Sequence, residues 1–260
     1  MKEMTLKVKL NDNLKFECSG DADFVARERE QFFRAANLPV MEEPAEPVHT
    51  SAPVSQTSVL VRATEKTGEL ADLIKGIQSG DIPVNVGDSL SVFLKDGTLT
   101  NFVITQIDGD YIRFESEDCI GGKYVTRDKV DDLFKDFWEQ LPDELKNAIV
   151  QTPRKWLDKD GVENMDYFNL FLPSAPEVFP DDECCGDNGL YEQMEWYKDR
   201  RHRLRRLSPD GDTVHWWLFS AAAGYASLFA CVAGYGYASS TGASATWVGA
   251  PVCFRIRKSK

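Results

Sequence analysis

From Trp216 to Phe254 the chain carries no Asp, Glu, Lys or Arg, although charged residues make up 28% of the whole sequence. So long a charge-free stretch has three physical outlets: a span through lipid, a buried sheet, or a surface of small and aromatic side chains. A lipid span needs about 20 predominantly apolar residues. Length suffices, and Arg255, Arg257, Lys258 and Lys260 would flank the span on its positive side. Ser, Thr and Gly crowd 234–246, however, and Ser220, Gly224 and Ser227 interrupt the more apolar half. A buried sheet draws on Val, Ile and Leu, whereas residues 221–247 hold one Leu, one Val and no Ile. Tyr, Ser and Gly are instead the residues of adaptable binding surfaces, with rigid aromatic anchors among small spacers. Tyr225, Tyr235, Tyr237 and Trp247 are the expected anchors.

The remainder reads as α+β. Met4, Leu6, Val8 and Leu10 alternate with polar residues, turn at Asn11-Asp12-Asn13, and continue as Leu14, Phe16 and Cys18, the pattern of a hairpin with one apolar face. Ser19-Gly20-Asp21 offers a helix start, with Phe24, Val25, Phe32, Phe33 and Ala36 on one side. A ββα unit over 1–37 buries too little apolar surface to stand alone, so it is expected to dock, with a homo-oligomer of its own copies as one way to do so. Pro39, Pro44, Pro47 and Pro53 mark 38–58 as a flexible linker. A helix is expected near Glu69–Gln78, then a meander over Leu90–Leu94, Phe102–Ile104 and Tyr111–Phe114 with turns at Lys95-Asp96-Gly97 and Asp108-Gly109-Asp110. Val130, Leu133, Phe134, Phe137 and Trp138 predict an amphipathic helix, and Pro142 opens another with Leu145, Ile149 and Val150 inside. Residues 158–215 read as loops and short elements.

Net charge is −12, from 42 acidic and 30 basic residues. That sign opposes contact with nucleic acid and with anionic lipid, so neither is an expected partner. Lys198, Arg200, Arg201, Arg203, Arg205 and Arg206 cluster around His202; the charge balance favours a loop neutralised by acids such as Asp187, Glu192, Glu195, Asp199 and Asp210. The six cysteines show no metal-like spacing. Asp181-Asp182-Glu183 is expected to be a solvated acidic loop, and neither His49, His202 nor His215 joins a nucleophile motif. No catalytic residue, metal ligand or cofactor is therefore expected. Met1-Lys2-Glu3-Met4 leads into no apolar run, so no signal peptide is expected, and the location expected is the cytoplasm or a phage virion.

Three strings carry a family resemblance: Phe171-Leu172-Pro173-Ser174-Ala175-Pro176-Glu177-Val178, Trp216-Trp217-Leu218-Phe219-Ser220, and Gly249-Ala250-Pro251-Val252-Cys253-Phe254-Arg255-Ile256. In this order they resemble C-type-lectin-fold proteins of bacteria and phages, many of them variable proteins of diversity-generating retroelements. The resemblance covers roughly 86–260. It implies a lectin-like domain over 59–260, with mostly antiparallel strands, two or more helices and long irregular loops. It also implies a variable segment, 221–247, diversified by reverse-transcription errors at template adenines. Substituting the first two bases of an Asn codon yields the Ala, Gly, Ser, Thr, Tyr, Phe, Leu, Val and Cys that dominate that segment. By resemblance, Tyr225, Ser227, Leu228, Tyr235, Tyr237, Ser239, Ser240, Ser244, Thr246 and Trp247 project from one exposed face toward a macromolecular ligand, protein or glycan. Phe229, Val232 and Gly236 would be frame, and Trp216, Trp217, Phe254 and Ile256 core. The calcium-site strings of sugar-binding lectins are missing. Formylglycine-generating oxidases share the fold and use a cysteine pair, so Cys231 and Cys253 define an alternative, as does a C-terminal membrane anchor. The expected function is non-catalytic receptor recognition.

Overall fold

The computed structural model describes residues 4–11, 14–20, 61–62, 68–121, 125–126, 129–158, 160–180, 186–222 and 227–259. The chain divides into two units, Met1–Ser55 and Gln56–Lys260. In the first, β1 (Met4–Asn11) pairs antiparallel with β2 (Leu14–Gly20). Leu6 opposes Cys18 and Val8 opposes Phe16, the register that the alternation requires. The helix expected after Gly20 and the linker over 38–58 lie outside the described residues.

The second unit is built on a sheet of order β3-β4-β5-β6-β15-β7. Its strands are β3 (Val61–Arg62), β4 (Ser89–Phe93), β5 (Leu99–Ile107), β6 (Tyr111–Ser116), β7 (Ile149–Val150) and β15 (Cys253–Arg257). Only β3–β4 is parallel. The meander β4–β6 forms where the two Asp-Gly turns place it. Strand β15 inserts between β6 and β7, one place in from the edge of the sheet. Phe254 stacks on Phe114 at 5.2 Å and meets Phe102 edge-on at 5.0 Å. Helix α1 (Glu69–Ser79) presents Leu70, Ile74 and Ile77 at i, i+4 and i+7, and α2 (Val130–Gln140) presents Val130, Leu133 and Phe134. These stripes join the same core as Phe102, Ile112, Phe114 and Ile256.

Two departures from the periodicity reading arise here. Helix α3 (Asp143–Ala148) stops before Ile149, and Ile149-Val150 turns extended because β15 offers Arg255 and Ile256 as ladder partners. Residues 152–168, read partly as loop, form a hairpin, β8 (Thr152–Leu157) with β9 (Glu163–Phe168). Gly161 N donates to Asp158 O at 3.0 Å between its strands, which are themselves too polar to alternate clearly.

A three-stranded sheet follows, β12 (Trp216–Ala221), β13 (Leu228–Val232) and β14 (Ala238–Gly242), in that order. Strand alternation sends its side chains to two cores. Trp217, Phe219, Phe229 and Cys231 join the core of the large sheet. Trp216, Leu218, Ala230 and Val232 face a second cluster with Val178, Phe179, Met194 and Tyr197. Both tryptophans, Phe254 and Ile256 are buried, as are Phe229, Val232 and Gly236. The described part of the charge-free stretch is therefore strands and turns, and no helix among the described residues is long and apolar enough to cross a membrane. Nor is 221–247 all surface: Ala222 and Phe229–Gly234 are buried. Small side chains serve as core here because β13 is squeezed between two layers and two neighbouring strands.

The three strings converge. Phe171 bridges Cys253, Phe219 N donates to Pro173 O at 2.8 Å, and Trp217 N donates to Gly249 O at 2.9 Å. Ser174 and Glu177 form a capping box on α4 (Ala175–Val178), and the Ser220 hydroxyl accepts from Ala175 N, otherwise an orphan donor of that short helix.

Glu177 also anchors a chain of buried charges. It accepts from Arg154 Nη2 at 2.5 Å and Arg113 Nη1 at 2.7 Å. Arg113 Nη2 lies 2.9 Å from Glu115 in an ionic contact without hydrogen-bond alignment. Glu115 in turn accepts from Arg205 Nη2 at 2.6 Å, from Thr105 and from Tyr197. The order Arg154–Glu177–Arg113–Glu115–Arg205 alternates in sign, and every member is buried. Burial pushes the Glu177 carboxyl up, but the Arg113 and Arg154 guanidiniums more than reverse this and hold it far below the usual carboxylate range.

Candidate functional site

Between β13 and β14 the chain turns through Gly234-Tyr235-Gly236. Gly236 N donates to Ala233 O at 2.8 Å, and Ala233 N donates to Tyr237 O at 2.8 Å, closing a three-residue hairpin loop. Gly236 sits at φ 86°, where an L side chain is strained, and a Cβ there would come within 2.9 Å of Arg200 Cγ. The turn thus holds Tyr235 at its tip and Tyr237 at its exit in one geometry.

An aromatic ledge builds on this turn. Tyr235 and Tyr237 lie 5.7 Å apart between ring centroids, Tyr235 meets His215 edge-on at 6.4 Å, and His215 meets Trp247 edge-on at 5.0 Å. Trp247 is 56% exposed; the tyrosines and His215 are half-buried. The last link follows from topology. Trp216 pairs with Val232 on one side and with Gly249 on the other, so residues 243–249 leave the β14 edge and finish at the opposite edge of β12. Ala243 and Ala245 pack inward while Ser244 and Thr246 stay exposed, and the path delivers Trp247 to His215.

The other expected positions are spread more widely. Ser227 is exposed and Leu228 half-buried, both at the far end of β13, where Leu228 pairs with Gly242. Ser239 and Ser240 are neighbours on β14 and so face opposite sides. Ser240 is exposed, while Ser239 is half-buried opposite Cys231. Tyr225 lies outside the described residues. The structure thus gathers Tyr235, Tyr237 and Trp247, with His215 as the link that sequence reasoning missed. His215 precedes Trp216 without a motif, so only the returning loop reveals its role.

Beside the ledge runs α5 (Glu195–Lys198), a 3-10 turn over Arg200–Arg203, and β10 (Arg205–Arg206), paired to β11 (Thr213–Val214). Arg200 Nη1 donates to the Tyr237 hydroxyl at 2.7 Å, with its guanidinium 5.1 Å from the ring centre. The exposed Leu204 completes the border, near Gly236. Trp216 fixes this segment from inside, its indole donating to Arg203 O at 2.8 Å while Arg205 lies over its ring. The basic cluster is partly neutralised, Lys198 by Glu195 at 2.5 Å and Arg201 by Asp199 at 2.5 Å. Arg205 departs from the expectation of a neutralised loop: it is buried, and its partner Glu115 comes from β6. Asp187, named as a neutralising acid, is buried and accepts from Leu157 N at 2.9 Å.

Cys119, Cys231 and Cys253 are free and buried. Burial pushes the Cys119 thiol up to about 12 and the Cys231 thiol up to about 11, the latter against a hydrogen bond from Ser239. Cys253 is raised further, by burial and then by Glu115. Protonated, enclosed thiols are poor nucleophiles, which weighs against the cysteine-pair reading of Cys231 and Cys253. Asp181-Asp182-Glu183 lies outside the described residues.

No curated protein and no solved structure matches the chain. A family described as a domain of unknown function, DUF6273, matches residues 112–258. The match starts in β6 and ends beyond β15, so it takes in the three converging strings, the buried charge chain from Arg113 to Arg205 and the ledge. Because it covers more than half of the chain, the protein belongs to the DUF6273 family.

Proposed function

We propose that the protein is a non-catalytic recognition module, a C-type-lectin-like scaffold whose segment 221–247 displays a diversified surface to a macromolecular ligand. The observation that carries this reading is the contrast within the segment. Phe229–Gly234 is locked between two cores, whereas Tyr235, Tyr237 and Trp247 stand at a rigid turn and returning loop with water on one side. A binding site needs such a division, because side chains held by an ordered frame lose little entropy on contact. The convergence of the three strings supports the lectin-like scaffold, since each is hydrogen-bonded to another of the three.

Purified full-length protein tested against panels of cell-surface ectodomains and glycans provides the test. A hit is expected that disappears in the Tyr235→Ala/Trp247→Ala double variant with little change in melting temperature. Equal binding by both proteins would remove the ledge from the function. The diversification claim has a separate readout. Sequencing the gene across related isolates should show substitutions at Tyr235, Tyr237, Ser240 and Ser244 and constancy at Trp216, Trp217 and Phe254; evenly scattered changes would end it.

A further inference from the structure

The cationic residues flanking the ledge are unequally served. Lys198, Arg201 and Arg205 each have a carboxylate. Arg200 and Arg203, among the described residues, have none: Arg200 donates to the Tyr237 hydroxyl, and Arg203 Nε donates to Tyr197 O at 2.7 Å. Residues i and i+3 of a 3-10 turn eclipse one another, so these two side chains leave the same side of the Arg200–Arg203 turn, Arg200 lying over the Tyr237 ring and Arg203 over that of Phe179 at 4.7 Å. Arg203 is half-buried, and burial followed by the neighbouring Arg200 charge lowers its basicity. The fold therefore holds two like charges beside Tyr237 with no carboxylate of their own among the described residues: Asp199, whose charge Arg203 feels, is salt-bridged to Arg201.

We infer that the ledge binds a partner protein through a surface Asp or Glu, clasped by Arg200 and Arg203, with apolar side chains of the partner on Tyr235, Tyr237 and Trp247. This deepens the recognition reading above and rests on it. Arginine forks match carboxylates two bonds at a time, and Trp, Tyr and Arg are the side chains in which interface energy concentrates. A long polyanion fits less well. Beyond Arg200 and Arg203 it would find Lys198 and Arg201 already paired with carboxylates, in a chain of net charge −12, whereas one carboxylate set among apolar groups needs only the two arginines.

A random peptide library displayed on phage and selected on the immobilised full-length chain tests this. Selected peptides should combine aromatic or aliphatic residues with one Asp or Glu, and replacing that acid by its amide should weaken binding about tenfold. Arg200→Gln should lose about the same factor, Arg200→Lys less, and added salt should weaken the natural chain more than Arg200→Gln. Arg200 is exposed, so unchanged melting is the control for folding. Acid-free peptides that bind Arg200→Gln equally well would overturn the inference while leaving the recognition reading intact. Displacement of the peptides by heparin or single-stranded DNA, more effectively than by free acidic peptide, would overturn it in favour of a polyanion. If the natural chain enriches nothing beyond the Tyr235→Ala/Trp247→Ala variant, the recognition reading itself fails and the inference falls with it.

Discussion

Glu177 holds two buried guanidiniums and the amide of Ser174, the residue that caps its own helix. Removing it leaves Arg113 and Arg154 charged and enclosed, so Glu177→Ala should cost about 3–5 kcal/mol, read by urea denaturation. Its carboxyl is held below the ordinary glutamate value, which fixes the sign of the pH effect. The stabilisation is complete above the unfolded pKa near 4.3 and is lost as pH falls toward the folded value. Stability of the natural chain should therefore fall more steeply below about pH 4 than that of Glu177→Gln. The buried thiols act at the other end of the scale. Their raised values mean a contribution that is whole below the unfolded thiol pKa near 8.5 and lost as pH rises. Iodoacetamide at neutral pH should leave Cys119, Cys231 and Cys253 unmodified until denaturant is added, as peptide mass spectrometry would register; labelling of folded Cys231 would contradict its enclosure. At this scale the sequence was only partly legible. Tyr235, Tyr237 and Trp247 stood out by residue type, but Arg113 and Glu115 merely alternate with Ile112 and Phe114, a pattern that a solvent face would show equally. Nothing local reports that a second layer covers them.

Among the elements, the β13–β14 turn decides the shape of the ledge. Gly236→Ala places a Cβ against Arg200 in a left-handed backbone, which should cost about 1 kcal/mol or more and loosen both tyrosines. Its melting temperature should drop, and any ligand bound through Tyr235 should be lost with it, whereas Tyr235→Ala should lose the ligand with far less effect on melting. Helices α1 and α2 and the strands β4–β6 were readable because their periods are clean and their turns carry Asp-Gly. The β8–β9 hairpin was not, since Pro153, Lys155, Glu163 and Asp166 blur its alternation. Strand β7 was misread as helix because two apolar residues fit either period, and only the free edge of β15 chose between them.

Across the unit Gln56–Lys260, β12 and β13 serve both cores at once. Neither cluster can open without exposing the strands that line the other, so this unit should unfold in one step. All six tryptophans lie within it. Their fluorescence in denaturant and the slowest amide exchange in β12 and β15 should therefore report the same free energy; a protected β15 with early exchange in β12 would show two separable layers. Trp216→Ala, which strips the second core of its largest side chain and Arg203 O of its indole donor, should cost about 3–5 kcal/mol.

The sequence by itself determined the α+β character of the chain, the strands and helices with a single unambiguous period, and the aromatic residues fit for a surface, because each is written in local spacing or residue type. Tertiary structure alone decided which small residues of 221–247 became core, which charges were buried in an alternating chain, and that His215 would join Tyr235 to Trp247. Those outcomes depend on what packs against the far face of a strand and on where a loop returns. Both are contacts between residues far apart in the chain, and no local pattern encodes them.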